Sequence, residues 1–250
     1  MSLALLRLLL CAALALLVAS LVLNVVLLLR ARSFERAYNA ERLLPFGPDP
    51  GQPPARSAAL RLVLLGDSRA RQWGSPPLGP RFEVLNRGVD GQTAAQALLR
   101  FDRQIAPLRP DIVVIQVGVN DLVASAESFP AEHGLFRAGC IDAIAALVHR
   151  TRASGATVVL TTIFPIGPPT LQQRILPTPD IAGSIDTVNA ALVALAGDGV
   201  LVLDTQPLLA DPRGVLRPEY RVDRLHLSAA GYAALSPALA RLLEEIAPVH

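Results

Sequence analysis

Apolar and polar positions divide the chain into three stretches of different character. Between Leu8 and Leu29 no residue is charged. Residues 45–56 are instead dense in proline and glycine, and from about Ala58 onward short apolar runs alternate with amphipathic stretches. This order predicts an N-terminal apolar helix over residues 1–31, an irregular tether over residues 32–57 and a folded domain over residues 58–250.

The apolar runs of the third stretch predict five strands. Several are uninterrupted series of Val, Ile and Leu, as in parallel strands that are buried on both faces. The predicted strands are Leu62–Leu65, Phe82–Leu85, Ile112–Val117, Val158–Ile163 and Val200–Leu203. Helical patterns lie between them, with Thr93 placed to cap the first and Ser228 the last, in which Pro237 predicts a kink or a restart. The alternation predicts an α/β fold in which helices cover both faces of a five-stranded parallel sheet.

Two long connections are predicted, over residues 122–136 and 165–184. The second of them contains five prolines. Long loops at the carboxyl edge of a sheet usually shape a substrate site or its lid. We therefore expect these two segments to border a ligand site.

The apolar N-terminal helix is long enough to cross a membrane. The 22 residues from Leu8 to Leu29 would form a helix about 33 Å long, against a hydrocarbon core of about 30 Å. A cleaved signal peptide is the alternative, although the apolar region of such a peptide is usually about 7–15 residues long. Arginines flank the possible cleavage site at Ala31-Arg32-Ser33, which favours an uncleaved anchor.

Composition argues against several kinds of site and partner. The net charge of the 250 residues is only +2, which is too small to indicate a nucleic-acid partner. The two cysteines, Cys11 in the apolar run and Cys140 in a predicted helix, do not form a disulfide framework. The histidines and cysteines show no metal-ligand spacing. We therefore expect neither a metal nor a nucleic acid at the site of this chain.

Four polar segments fall at the carboxyl ends of predicted strands or close to the C-terminus. Acyl transfer needs a nucleophilic hydroxyl, a base that takes its proton, a carboxylate that orients the base, and donors for the developing oxyanion. The segments supply one group of each kind. They are Gly66-Asp67-Ser68, Asn86-Arg87-Gly88, Gly118-Val119-Asn120-Asp121 and Asp223-Arg224-Leu225-His226.

Each group has a candidate role in this chemistry. Ser68 is the candidate nucleophile and His226 the candidate base, with Asp223 one helical turn from His226. The candidate oxyanion donors are the backbone N–H groups of Ser68 and Gly88 and the side-chain amide of Asn120. Taken singly, each of these residues has an ordinary structural explanation as a cap, a turn, a loop or a surface histidine. Their joint occurrence at strand ends favours catalysis.

The four segments resemble the sequence blocks of the SGNH (GDSL-type) hydrolase superfamily. The family is named for the Ser, Gly, Asn and His that correspond here to Ser68, Gly88, Asn120 and His226, and the resemblance spans about residues 60–235. The first block departs from the motif, because Arg69 follows the serine where the motif ends in Leu, at a position that varies widely in the family. The resemblance implies a flavodoxin-like three-layer sandwich, serine esterase chemistry on a lipid-like or sugar-borne acyl ester, and no metal or organic cofactor.

Other interpretations stay open beside this one. An O-acyltransferase that acts on a surface polysaccharide would use the same residues, and a non-catalytic binding module is less favoured because Ser68, Asp223 and His226 are all present. Gly66-Asp67-Ser68-Arg69-Ala70 nearly matches the nucleophile elbow of α/β-hydrolases, but those enzymes separate their acid and histidine by far more than three residues. The arginines after the apolar helix favour a cytoplasmic domain, whereas the enzyme class favours the extracytoplasmic (periplasmic) face, which we expect.

Overall fold

The computed structural model describes residues 2–43, 51, 54–169, 175 and 179–246. Contacts divide the chain into two units, residues 1–48 and 49–250. The first unit contains one helix, α1 (Leu3–Leu43), which continues without a break past the predicted end of the anchor at residue 31. Its part Leu3–Ser33 is long and apolar enough to cross a membrane, by length and composition, and it lies at the N-terminus, as signal sequences do. Of the predicted tether, residues 44–50 and 52–53 lie outside the described residues.

The second unit is built on a five-stranded parallel sheet with the order β2-β1-β3-β4-β5. The strands are β1 (Leu60–Gly66), β2 (Phe82–Gly88), β3 (Ile112–Gln116), β4 (Thr157–Thr161) and β5 (Val200–Leu203). Each strand overlaps one of the five predicted from apolar runs. The central strands β1 and β3 are buried along almost their whole length, as continuous apolar runs require.

Helices cover both faces of the sheet. They are α2 (Ser68–Trp73), α3 (Ala94–Leu99), α4 (Val119–Ser128), α5 (His133–Ala153), α6 (Ile181–Val193), α7 (Gln206–Leu209) and α8 (Ala229–Ile246). Residues of α3, α4, α5 and α6 pack in one core with one face of the strands. Residues of α2, α7 and α8 pack in a second core with the other face. The predicted flavodoxin-like three-layer α/β/α sandwich is thereby confirmed.

The predicted connection over residues 122–136 is wrong, because α4 and the start of α5 occupy most of it. Val119, Leu122 and Ala126 are buried at helical spacing, and the Ser125 hydroxyl donates to the Asp121 carbonyl at 2.6 Å. The apolar positions of α4 are interrupted by serines and a glutamate, which hides its period in the sequence. Only residues 165–169, 175 and 179–184 of the other predicted connection are described, and α6 begins within it at residue 181.

Thr93 and Ser228 lie at the starts of two helices, as the sequence predicts, and Pro237 lies inside the second of them. Thr93 forms a capping box with Gln96 at the start of α3, as expected for a Thr at this position. Ser228 precedes α8, and its hydroxyl accepts the Gly231 N–H at 3.3 Å. α8 does not restart at Pro237, since the helix is continuous from residue 229 to residue 246.

The strand order determines where the candidate groups lie. β1 has β2 on one side and β3 on the other, so the segments that follow these three strands meet at one edge of the sheet. Open parallel sheets bind their ligands at this carboxyl edge. Ser68, Gly88 and Asn120 all belong to it.

Candidate active site

Ser68 lies at a sharp turn between β1 and α2. Asp67 caps α2 by accepting the Arg69 N–H at 2.8 Å. A Cβ atom on Gly66 would overlap the Gln116 carbonyl of β3, so the turn needs a residue without a side chain at that position. Ser68 is the first residue of α2, where an N–H has no acceptor within the helix. The serine is 8% exposed, and its turn therefore presents both a hydroxyl and a spare N–H at the sheet edge.

The loop before α8 brings an imidazole and a carboxylate to this serine. Ser68 Oγ lies 3.0 Å from His226 Nε2, and His226 Nδ1 lies 2.8 Å from Asp223 Oδ2. The carboxylate accepts from Nδ1 when that nitrogen carries the proton, which leaves Nε2 free to accept from the serine hydroxyl. The structure thus aligns the three groups in the order that proton transfer from a serine requires.

The Asp223 carboxylate is held by its own loop as well as by the imidazole. Its Oδ1 atom accepts the N–H groups of Leu225 at 2.7 Å and His226 at 2.8 Å. Desolvation alone would raise the pKa of Asp223, but the hydrogen bonds from the His226 ring and from these two N–H groups outweigh it, and the pKa lies below its ordinary value. The group is therefore an ionised acceptor at neutral pH.

Gly88 ends β2 beside the turn that carries Ser68. Its N–H donates to Asn86 Oδ1 at 2.9 Å. The Asn86 amide in turn donates to the carbonyls of Ala70 at 2.8 Å and Gly74 at 2.7 Å. Asn86 thereby ties the end of β2 to the carbonyls of α2 and its C-terminal cap, and in this structure it occupies the N–H that was predicted to face an oxyanion.

Asn120 lies in the first turn of α4, after Gly118 with a φ of 120°. Its Nδ2 atom donates to the Gln92 carbonyl at 3.0 Å, and an amide nitrogen carries two hydrogens, so one of them is left for another acceptor. The adjacent Asp121 carboxylate accepts the Ala94 N–H at 2.9 Å, and burial raises its pKa to about 6. These bonds fasten the start of α4 to the loop between β2 and α3.

Two buried charged residues, directly before and after Ser68 in the chain, were not assigned a role from the sequence. Asp67 and Arg69 are both 0% exposed. Burial raises the pKa of Asp67 to about 6, although the positive charge of Arg69 opposes the shift. Burial also lowers the pKa of Arg69, and Asp67 opposes that shift. In the sequence, Arg69 stood out only because it replaces the Leu that ends the family motif. Nothing in the sequence indicated that its side chain is buried.

Three further residues, His133, Cys140 and Asn189, have structural surroundings. His133 lies between the hydroxyls of Ser125, at 2.8 Å, and Ser184, at 2.9 Å. Cys140 of α5 is buried in the apolar core. Asn189 accepts the Ile163 N–H at 2.7 Å and donates to its carbonyl at 3.0 Å, which joins α6 to the end of β4.

Cavities lie on two sides of this edge of the sheet. One, of about 290 Å³, is bordered by Arg224 of the histidine loop and by Gly167 and Ile166. The other, of about 570 Å³, is bordered by Asp121, next to Asn120, and by Phe129 and Phe136 of the α4–α5 segment. The first cavity has a mixed polar and apolar lining and the second a mostly apolar one, and neither is lined by Ser68 or His226.

The sequence matches the model of the GDSL-like lipase/acylhydrolase family over residues 51–234. Among curated proteins it is 30% identical over 193 residues to the platelet-activating factor acetylhydrolase IB subunit alpha1 of Rattus norvegicus, a match that covers 73% of this chain and 74% of that protein. The protein of the same name from Pongo abelii is 31% identical over 193 residues, with the same coverage.

Solved structures share the fold. A GDSL-like lipase from Bacteroides thetaiotaomicron aligns with a TM-score of 0.62 at 23% identity, over 74% of this chain and 88% of that one. An acetylxylan esterase from Geobacillus stearothermophilus aligns with a TM-score of 0.59 at 21% identity, over 74% of this chain and 94% of that one. The family predicted from the four polar segments is confirmed, and the chain belongs to the GDSL-like lipase/acylhydrolase family.

Proposed function

We propose that the domain is a serine esterase in which Ser68 is the nucleophile, His226 the general base and Asp223 the group that orients His226. The observation that carries the proposal is the continuous contact from Ser68 Oγ to His226 Nε2 at 3.0 Å and from His226 Nδ1 to Asp223 Oδ2 at 2.8 Å. A hydroxyl is a weak nucleophile until a neighbouring base takes its proton. This contact supplies such a base together with its orienting carboxylate.

The reaction proceeds in two halves. Ser68 Oγ attacks the ester carbonyl carbon while its proton passes to His226 Nε2, and the tetrahedral intermediate collapses as the imidazolium protonates the leaving alkoxide. Water then attacks the acyl-serine, His226 takes a proton from it, and Ser68 leaves with that proton as the carboxylic acid is released. Asp223 stays ionised throughout and stabilises the imidazolium.

The oxyanion of both intermediates is bound by the N–H groups of Ser68 and Gly88 and by Asn120 Nδ2. The Gln92 carbonyl holds one hydrogen of the Asn120 amide at an N···O distance of 3.0 Å, which fixes the amide plane and directs the other hydrogen. The Gly88 N–H is shared with Asn86 Oδ1 or released from it when the negative charge develops, because an oxyanion is a stronger acceptor than a neutral amide.

The ester carries a short acyl group in this proposal. The names of the relatives and of one structural neighbour refer to acetyl esters, in a platelet-activating factor acetylhydrolase and an acetylxylan esterase. The alcohol part is lipid-like or sugar-borne. Residues 1–31 anchor the enzyme in a membrane with the domain at the extracytoplasmic face, and residues 32–57, of which residues 32–43 continue α1, join the two.

A panel of p-nitrophenyl esters of rising chain length tests this function. Turnover should be highest for acetyl and should fall with length, and it should disappear in Ser68→Ala. The same assay with an added polysaccharide separates hydrolysis from acyl transfer, because a transferase would release nitrophenol faster with the acceptor and would acetylate it. Turnover by Ser68→Ala at the wild-type rate would reject the esterase.

A further inference from the structure

Arg69, the residue directly after Ser68, has a fully buried guanidinium group with 0% exposure. Its Nε atom donates to the Leu225 carbonyl at 2.8 Å and its Nη1 atom to the Phe164 carbonyl at 3.0 Å. The guanidinium carbon also lies 5.5 Å from the centre of the Phe164 ring. Burying a cation is unfavourable unless it is paired and hydrogen-bonded, so this placement needs an explanation.

Arg69 connects the segment that carries Ser68 with the loop that carries His226. Its backbone directly follows Ser68, and its Nε atom holds the carbonyl of Leu225, which directly precedes His226. Two contacts therefore join the same two segments: the 3.0 Å contact between Ser68 Oγ and His226 Nε2, and the hydrogen bond from Arg69 to the Leu225 carbonyl. A shift of the Leu225 carbonyl would move the imidazole relative to the hydroxyl.

The loop that carries His226 depends on such outside contacts for its position. Asp223 accepts N–H groups from Leu225 and His226, and Val222 donates to the His226 carbonyl at 2.9 Å. These bonds shape the loop internally but do not attach it to the sheet. Its attachments include the Arg69 contact and the Gly167 N–H, which donates to the Arg224 carbonyl at 2.7 Å.

The backbone of Arg69 is itself held by two hydrogen bonds. Its N–H donates to Asp67 Oδ1 at 2.8 Å and its carbonyl accepts the Tyr232 hydroxyl of α8 at 2.9 Å. The negative charge of Asp67 partly offsets the burial of the guanidinium. The planar guanidinium donates to two carbonyls in fixed directions, which the point-like ammonium of a lysine cannot reproduce.

We infer that Arg69 is a positioning residue, which sets the distance between His226 and Ser68 by linking the Leu225 carbonyl to the carbonyl of Phe164, in the segment that follows β4. This inference rests on the proposed function, because it assigns Arg69 to the same proton transfer. Arg69 touches neither the ester nor the reacting atoms. It acts through the histidine loop.

The test compares Arg69→Met and Arg69→Lys with the wild-type full chain on p-nitrophenyl acetate. Met fills the site without donors, and kcat should fall about 10²-fold with little change in KM, since a misplacement of about 1 Å has an effect of this size. Lys keeps the cation opposite Asp67 and should recover part of the loss. Thermal scans verify folding at the assay temperature, and Arg69→Lys decides the outcome if the Met variant unfolds. A wild-type kcat in folded Arg69→Lys would overturn the inference.

Arg61→Met is the matched control. Arg61 is 2% exposed and donates to Glu83 Oε2 and to the Leu108 carbonyl at 2.8 Å each. It lies at the amino end of β1, whereas Ser68 follows the carboxyl end of the same strand. Its loss should lower the unfolding temperature but leave kcat per folded enzyme unchanged. An equal fall of kcat in both variants would assign Arg69 a merely structural role and reject the inference.

A double variant separates positioning from general stabilisation. In a His226→Ala background the group that Arg69 positions is gone, so Arg69→Met should lower the residual turnover no further. A repeated 10²-fold loss there would overturn the inference. The proposed function fails separately, through an active Ser68→Ala or His226→Ala enzyme.

Discussion

A Cβ atom placed on Gly88 would lie 2.6 Å from the Cα atom of Arg71, because the end of β2 packs directly against the backbone of α2. Backbone atoms cannot move aside as the end of a long side chain can. Gly88→Ala should therefore displace α2, which begins with Ser68, and lower the free energy of unfolding by about 1–3 kcal/mol, as overpacked substitutions do. Chemical denaturation measures the loss, and esterase activity should fall with it.

Gly139→Ala supplies the control for this effect. A Cβ atom on Gly139, in the interior of α5, meets nothing within 4 Å. The substitution should raise stability by about 0.5–1 kcal/mol, since alanine is the better helix former. If both glycine variants unfolded at the wild-type denaturant concentration, the close approach of β2 to α2 would be refuted.

The sequence was sufficient to predict the sheet because its strands are buried on both faces. Uninterrupted runs of β-branched residues such as Ile112–Ile115 are typical of such strands. The strand order then placed Ser68, Gly88 and Asn120 at one edge, where the four polar segments were expected. The same reasoning missed α4, since the buried Ser125 and the exposed Glu127 obscure its apolar period.

The details of the site were beyond sequence reasoning because they depend on partners far apart in the chain. Arg69 and Leu225 are 156 residues apart, and nothing local indicates that an arginine is fully buried. The bond from the Gly88 N–H to Asn86 Oδ1 is local, but it becomes apparent only when the end of β2 is seen against α2. The identities of the polar residues were therefore enough to predict the family, whereas the contacts that hold these residues in place depend on tertiary packing.

Asn120→Ala tests the proposal that the Asn120 amide is an oxyanion donor. The substitution removes the amide that Gln92 orients, and kcat should fall about 10²–10³-fold, as for loss of one oxyanion donor. Asn189→Ala is the control, because Asn189 also bridges backbone groups but lies on α6. It should lower stability by about 1–3 kcal/mol and leave kcat per folded enzyme unchanged. Equal loss of folding and activity in Asn120→Ala would instead identify a structural residue.

Asp67→Asn tests the buried carboxyl that directly precedes Ser68 in the chain. The native pKa of about 6 exceeds the ordinary value of 3.8, so the native state holds this proton more tightly than the unfolded state. The bound proton therefore stabilises the native state fully below pH 3.8, and this stabilisation is lost as the pH rises through about 6. An Asn cannot ionise and keeps the cap oxygen that binds the Arg69 N–H.

The free energy of unfolding of Asp67→Asn, measured against wild type, should therefore increase between pH 4 and pH 8. The pKa difference corresponds to a gain of about 3 kcal/mol at most. Asp102→Asn is the control, since Asp102 is an exposed carboxylate paired with Arg150, and its difference from wild type should stay small. A difference for Asp67→Asn that is constant across this pH range would contradict the assignment.

Removal of residues 1–44 tests the anchor. The segment Leu3–Ser33 is apolar enough to span a bilayer, so the full chain should stay in the membrane pellet through salt and carbonate washes, whereas residues 45–250 should be soluble and active. Release of the intact full chain by carbonate would reject the anchor. Cleavage of the domain by protease added to sealed spheroplasts, from which any outer membrane has been removed, would support the extracytoplasmic orientation, and protection would reverse it.

The triad should behave as one unit when its members are removed. In the proposed mechanism Ser68 and His226 act in the same proton-coupled attack, so Ser68→Ala and His226→Ala should each lower kcat on the order of 10⁶-fold. Asp223→Ala should lower it less, on the order of 10⁴-fold, because the Asp223 side chain is 55% exposed and water can partly replace it as the acceptor for Nδ1. The Ser68→Ala/His226→Ala double variant should be hardly slower than either single variant. Ester turnover across this set, with circular dichroism to verify folding, measures these losses, and losses that multiply in the double variant would mean that the two residues act in separate steps.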